Sequence, residues 1–212
     1  MTDAHGDARV QERLDGIADR LREERVNAGL SQRELARRLG LSASMISQIE
    51  SGQSKPSVGT LYAIVTELDV SLDRVIRGED YHDGDEPPRN PSHPTAPLVH
   101  PRDRGVIDLD SGVRWEDLNP VPEDTVDFLH ATYEVGGAST PDESLMRHHG
   151  REYGYVISGV LSIQIGFQKY ELHPGDSIAF DSTRPHRLFN EGDEPVRAIW
   201  FVHGREGDGK LL

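Results

Sequence analysis

Apolar residues recur at helical spacing in the first third of this chain and at alternating spacing in its last half. Val10, Leu14, Ile17 and Leu21 fall on one face of a long first helix. Ser31 followed by Glu34 reads as a capping box that starts a second helix, burying Leu35, Ala36 and Leu39. Gly40 is the left-handed residue that stops it. Ser42 then caps a third helix with Ile46 and Ile49 facing inward, and Ser51-Gly52 closes it. Leu61, Ile64, Val65 and Leu68 form the stripe of a fourth helix, and Ser71 opens a short fifth with Leu72, Val75 and Ile76. From Gly105 onward the period becomes two, and strands are predicted over 126–135, 153–158, 160–165, 167–172, 177–180, 186–190 and 196–202. Pro174-Gly175-Asp176 makes a sharp turn between two of them.

Between the halves, residues 78–101 hold six of the 13 prolines among acidic and small polar residues, the texture of an extended linker. The division expected is a helical domain over 9–77, a Pro-rich acidic linker over 78–104 and a β domain over 105–204. The absence of cysteine excludes disulfides and thiolate metal sites and suits a reducing cytoplasm. The first ten residues are polar and unlike a signal peptide, and no apolar run is long enough to span a membrane. A net charge of −14 argues against nucleic acid until it is divided. Residues 9–77 carry 11 basic and 10 acidic side chains, a net of +1, so the remainder carries −15. Screening acts over about 8 Å at physiological salt, so DNA would respond mainly to the local charge.

Two short helices joined by a tight turn at Gly40 have the geometry that lays the second one in a major groove. The third helix presents Ala43, Ser44, Ser47 and Gln48, small or amide-bearing residues that let a helix approach base edges. Gln48 can read a base bidentately. Ser42, Gln32 and Lys55 (with Gln53 and Ser54) flank that face, and Gln32 and Lys55 are placed for backbone contacts. By composition alone, the same positions also suit the solvated faces of an ordinary helical bundle. The string SQRELARRLGLSASMISQIESGQSKPSVGTLYAIVTELDVSLDRV resembles the lambda-repressor-like helix-turn-helix domains of the XRE family, the likeness running from Leu21 to about Arg77. It rests on Ser31-Gln32, Leu35-Ala36, Gly40-Leu41-Ser42, Ile46-Ser47, Glu50-Ser51-Gly52 and Pro56. The resemblance implies operator DNA as partner, contacts at Gln32, Ala43, Ser44, Ser47 and Gln48, and binding as a dimer.

In the β half, His148, Glu152 and His186 form a candidate metal triad. A straight strand would separate His148 from Glu152 by roughly 13 Å, but Gly150 permits a bend between them. Two imidazoles and a carboxylate suit Fe(II) or a similar divalent ion with open coordination positions. His149 is expected to point away from His148, while Tyr153, Tyr155, Phe180 and Trp200 read as core or pocket wall. Arg151, Arg184 and Arg187 are either an anion grip or plain surface charges. The blocks MRHHGREYGYVISGVLSIQIG and PGDSIAFDSTRPHRLFN resemble the two motifs of the cupin superfamily, small β-barrels, over about 128–202. That resemblance carries the metal positions onto His148, Glu152 and His186, with Gly159 and Asn190 also matching. Met146 stands where the superfamily has its other histidine, and Asp181 and Thr183 replace a usual proline and glycine. Some barrels of the superfamily keep the shape and have lost the metal, and buried histidines then serve as hydrogen-bonding groups.

The expected architecture is therefore multidomain, an all-α helix-turn-helix bundle followed by a cupin β-barrel (double-stranded β-helix). The first function it implies is a cytoplasmic DNA-binding regulator, with no membrane partner. Its barrel would form a homodimer and bind a small-molecule effector, with Fe, Mn, Ni or Zn in the triad. The second is an enzyme resembling the non-haem iron epoxidases that act on hydroxypropylphosphonate, which share this domain order and the H-x-x-x-E spacing of His148 and Glu152.

Overall fold

The second and third helices are bounded by the capping residues read from the sequence, as the computed structural model shows. It describes residues 4–77, 97–121 and 125–204, with side chains from residue 16 onward. Helix α1 (Ala4–Asn27) precedes α2 (Gln32–Leu39), α3 (Ala43–Glu50), α4 (Val58–Leu68) and α5 (Leu72–Arg77). Ser31 Oγ accepts the Glu34 N–H at 3.1 Å, and Ser42 Oγ accepts that of Met45 at 3.1 Å. The Glu34 carboxylate turns outward to Arg37 and Arg38, which hold it down to about 2. Gly40 ends α2 in the left-handed conformation. Leu21, Leu35, Ile46, Leu61, Val65, Leu72 and Val75 close the centre of this helical head. Of the predicted first-helix stripe, Ile17 and Leu21 are buried, while the side chains of Val10 and Leu14 lie outside the described residues.

The β half begins earlier than its alternation suggested. Strands β1 (Val106–Leu109) and β2 (Val113–Asp117) precede β3 (Val126–Tyr133). There follow β4 (Arg151–Ser158), β5 (Leu161–Ile165), β6 (Gln168–Leu172), β7 (Ser177–Asp181), β8 (His186–Phe189) and β9 (Val196–His203). They form an antiparallel six-stranded sheet, β1-β2-β3-β9-β4-β7, and a three-stranded sheet, β6-β5-β8. Inward positions alternate as the pleat requires: Glu152, Gly154 and Val156 on β4 face Val196, Ala198, Trp200 and Val202 on β9. By the same alternation Tyr153, Tyr155 and Ile157 point outward, at 44%, 49% and 46% exposure. This corrects the expectation that the two tyrosines line the interior. Phe180 and Trp200 are buried, as expected.

Head and barrel share one continuous apolar core. Of the predicted linker, residues 78–96 lie outside the described residues, and its last part is pinned to β2 where Arg104 meets Glu116 at 3.0 Å. Across the junction, the Asp110 N–H donates to Pro56 O at 2.9 Å and the Gly59 N–H to Ser139 O at 3.1 Å. At the far end of α5, Arg77 pairs with the wholly buried Asp117 and donates to the Asn119 carbonyl. Burial pushes the Asp117 carboxyl up, and the neighbouring guanidinium offsets this only in part. Among the described residues no helix is long and apolar enough to cross a membrane.

Candidate nucleic-acid interface and metal centre

Helix α3 is divided sharply between faces. Ile46, Ile49 and Glu50 are buried, while Ser42 and, on the helix, Ser44, Met45, Ser47 and Gln48 are exposed, with Ala43 half-buried. Its outward face is therefore small and polar apart from Met45, which the pattern reading did not include. Lys55 is exposed just beyond the helix. Gln32 is half-buried, and its Nε2 donates to Glu50 Oε2 at 2.8 Å. That carboxylate is gripped on its other side by Arg25, with Nε to Oε1 at 2.6 Å and Nη2 to Oε2 at 2.8 Å. Arg25 also donates to Leu30 O at 2.6 Å, so one buried ion pair ties α1, the α1–α2 turn, α2 and α3 together. No sequence signal beyond a charge on the inward face of α3 marks this pair.

The triad is assembled by the bend foreseen between its first two members. Gly150 has φ of +106°, a conformation that favours glycine, and the chain turns there into β4. The His148 and His186 Nε2 atoms each lie 3.0 Å from Glu152 Oε1. All three residues are buried, at 2%, 3% and 0% exposure for His148, Glu152 and His186. The remaining polar atoms of each are committed elsewhere. His148 Nδ1 contacts His149 O at 2.9 Å and His186 Nδ1 contacts Arg184 O at 2.8 Å, which sets Nδ1 as the protonated nitrogen. Trp200 Nε1 donates to Glu152 Oε2 at 2.7 Å.

This leaves His148 Nε2, His186 Nε2 and Glu152 Oε1 converging without a hydrogen bond among them. Ligand atoms at right angles around an ion with bonds of about 2.1 Å stand about 3.0 Å apart. The two separations match that edge, so these donors fit a divalent ion, and the carbonyl and indole partners supply the outer contacts that orient such ligands. Burial favours protonation of Glu152, but in the metal-free protein hydrogen bonds from the Nε2–H groups of the two imidazoles, when these carry charge, overcome it and hold its carboxyl well below the usual range. Burial opposes charge on His186, and Glu152 more than offsets that, raising the imidazole. Met146 contributes main chain: its N–H and carbonyl pair with those of His186 at 2.9 and 2.8 Å.

Comparison with known proteins agrees with both halves. The helix-turn-helix family profile matches residues 21–75 and the cupin domain profile matches residues 129–202. The chain is 31% identical over 182 residues to the HTH-type transcriptional regulator PuuR of Escherichia coli K12, covering 85% of this chain and 90% of that protein. The chain belongs to the helix-turn-helix transcriptional regulators that carry a cupin domain. Within this family, SutR of the same strain is 23% identical over 187 residues, covering 88% of this chain and 94% of SutR. The crystal structure of an HTH_3 family transcriptional regulator from Vibrio cholerae has the same fold over 92% of this chain and 99% of its own, with TM-score 0.64 at 23% identity.

For this regulator, Trp200→Phe removes one indole N–H from Glu152 while keeping an aromatic ring in place. Loss of such an outer contact weakens metal binding about 10- to 100-fold. Isothermal titration of the metal-free protein with Zn(II) measures it, and affinity unchanged by the substitution would mean the indole plays no part in orienting the carboxylate. Nothing in the sequence around Trp200, a core or pocket-wall position by its pattern, marks this bond, because its partner lies 48 positions away.

Proposed function

We propose that the protein is a DNA-binding regulator in which residues 9–77 read an operator, 78–104 connect, and 105–204 sense and dimerise. The observation that carries this reading is the slim exposed face of α3. Ser42, Ala43, Ser44, Ser47 and Gln48 offer small groups and one amide to a major groove, with Lys55 and Gln32 at its edge for phosphates. The head's local charge of +1 against −15 elsewhere also favours contact through this end.

A homodimer would supply the second reading head that operator half-sites call for. The outer face of the six-stranded sheet supports pairing with a second copy. There Tyr153, Phe201 and Phe128 meet edge to face, with ring centres 6.0 and 6.3 Å apart, beside exposed Tyr155 and Ile157. In the barrel, His148, Glu152 and His186 would hold Fe, Mn, Ni or Zn. A bound ion would supply open coordination positions for an oxygen- or nitrogen-bearing effector. The same donor set suits iron-dependent oxygen chemistry, and oxygen uptake by the Fe(II)-loaded protein with no affinity for DNA would favour an enzyme instead.

The deciding experiment is fluorescence anisotropy with operator DNA selected from a genomic library, at stated salt. A lost bidentate base contact costs about 1–3 kcal/mol, so Gln48→Ala is expected to weaken the selected site by roughly that amount. Ser44→Arg, which enlarges the slim face, should weaken it at least as much. Unchanged affinity in both variants would exclude α3 as the reading helix.

A further inference from the structure

The head covers the metal centre. Tyr62, in the second turn of α4, lays its ring flat on the His148 imidazole, with centroids 4.5 Å apart and planes 16° from parallel. Its hydroxyl donates to Asp127 Oδ2 on β3 at 3.2 Å, and Trp115 of β2 meets the ring edge-on at 5.5 Å. One turn earlier, Gly59 sits so close to the barrel that a Cβ there would lie 3.1 Å from Thr140 Cγ2 and 3.5 Å from Met146 Cβ. The other rings at the triad belong to the barrel: Phe180 packs against His186 from β7 and Trp200 holds Glu152 from β9. Those strands are sewn into the sheet by main-chain ladders, and His148 itself is tied through its N–H to Ser182 O. The start of α4 is attached by the Gly59–Ser139 and Tyr62–Asp127 hydrogen bonds and by packing. It is a wall of the triad that no sheet ladder holds.

We propose that the first two turns of α4, led by Tyr62, are a removable lid over the triad, and that a ligand reaching the triad lifts the head from the barrel mouth. This rests on the reading of the triad as the sensor's ligand site and supplies its route to DNA. Only residues 51–57 separate α3 from α4, so a displaced α4 re-aims the recognition helix. The buried Arg77–Asp117 pair, at the other end of the α4–α5 segment, keeps the head attached. By linkage, a ligand that holds the lid open favours whichever head orientation the open state permits, and DNA that selects that orientation favours the ligand equally.

The test exploits the absence of cysteine. A Gly59→Cys/Thr140→Cys pair can be oxidised to clamp the lid and released with a phosphine reductant, so one folded molecule reports both states. Diethylpyrocarbonate labels accessible imidazoles in the metal-free protein, and peptide mass mapping reads His148 and His186 separately, with exposed His173 as the internal standard. Labelling of His148 and His186 is expected to be about tenfold or more faster in Tyr62→Ala than in the unaltered chain, as opening becomes easier. It should be several-fold slower in the oxidised pair than in the same pair reduced. Co(II) uptake should follow the same order. Equal labelling rates in all forms would overturn the lid. Failure of the unaltered protein to bind Co(II) better than His186→Ala would instead retire the metal reading, and the labelling rates would still decide the lid.

Discussion

Glu50→Ala is expected to destabilise the helical head by about 3–5 kcal/mol, the usual cost of leaving one member of a buried ion pair unpartnered. Arg25 and Glu50 are 8% and 6% exposed, and the substitution would strand the guanidinium with only the Leu30 carbonyl while freeing the Gln32 amide. Because the pair joins α1 to the end of α3, operator affinity should fall with stability. Urea unfolding followed by circular dichroism at 222 nm measures the loss. An Arg25→Met/Glu50→Leu double variant separates causes. If the penalty comes from the uncompensated charge, the double variant recovers most of the stability, since apolar replacements of buried pairs are often neutral or better. A single-variant loss below about 1 kcal/mol, typical of an exposed pair, would show that water reaches the arginine.

Gly154→Ala should be nearly as damaging, for a steric reason. Gly154 lies directly opposite Trp200 across β4 and β9, and a Cβ there would fall 2.0 Å from Trp200 Cζ3 and 2.4 Å from Cη2. The indole cannot accept that methyl without leaving its place. Overpacking of this kind costs about 1–3 kcal/mol, and losing the hydrogen bond to the ionised Glu152 adds about 1.5–3 kcal/mol. The expected results are a lower thermal midpoint and a shifted tryptophan emission, together with weakened Zn(II) binding. An unchanged emission spectrum and midpoint would mean the ring is not seated against the strand.

Local chemistry was legible; contacts between distant segments, the triad apart, were not. Ser31, Gly40 and Ser42 act on their own neighbours, and their caps lie where the pattern put them. The reciprocal half of the box at Glu34 gave way to Arg37 and Arg38, three and four residues on along the same helix, a competition that the motif does not express. The triad was readable because Gly150 announces a bend and two imidazoles with a carboxylate form one recognised donor set. Strands β1 and β2 escaped notice although β5–β8 are as short: VIDL offers only two inward apolar positions, and in VRWED the buried Asp117 breaks the inward apolar run. The outward tyrosines were derivable: once Glu152 points inward, alternation sends positions 153 and 155 the other way. Arg25, Tyr62 and Trp200 left no such trace. Each acts on a partner 25 or more residues away, and a helical stripe or strand pattern carries no information about what docks against it.

The placement of β9 has a bearing on how the molecule is made. It lies between β3 and β4, joining residues 126–133 to residues 151–158 although it is the last described strand in chain order. Until residues 196–203 have left the ribosome, the larger sheet exists only as two disconnected pieces, while the helices at the front of the chain need only near neighbours to close. Helical contacts form fast and distant strand pairings form slowly. A nascent chain therefore passes through an interval in which the helical head and β1–β3 can close while β4 still lacks the strand that seats it beside β3. Any variant truncated before residue 196 would lack that strand, and with it the Trp200 indole that holds Glu152.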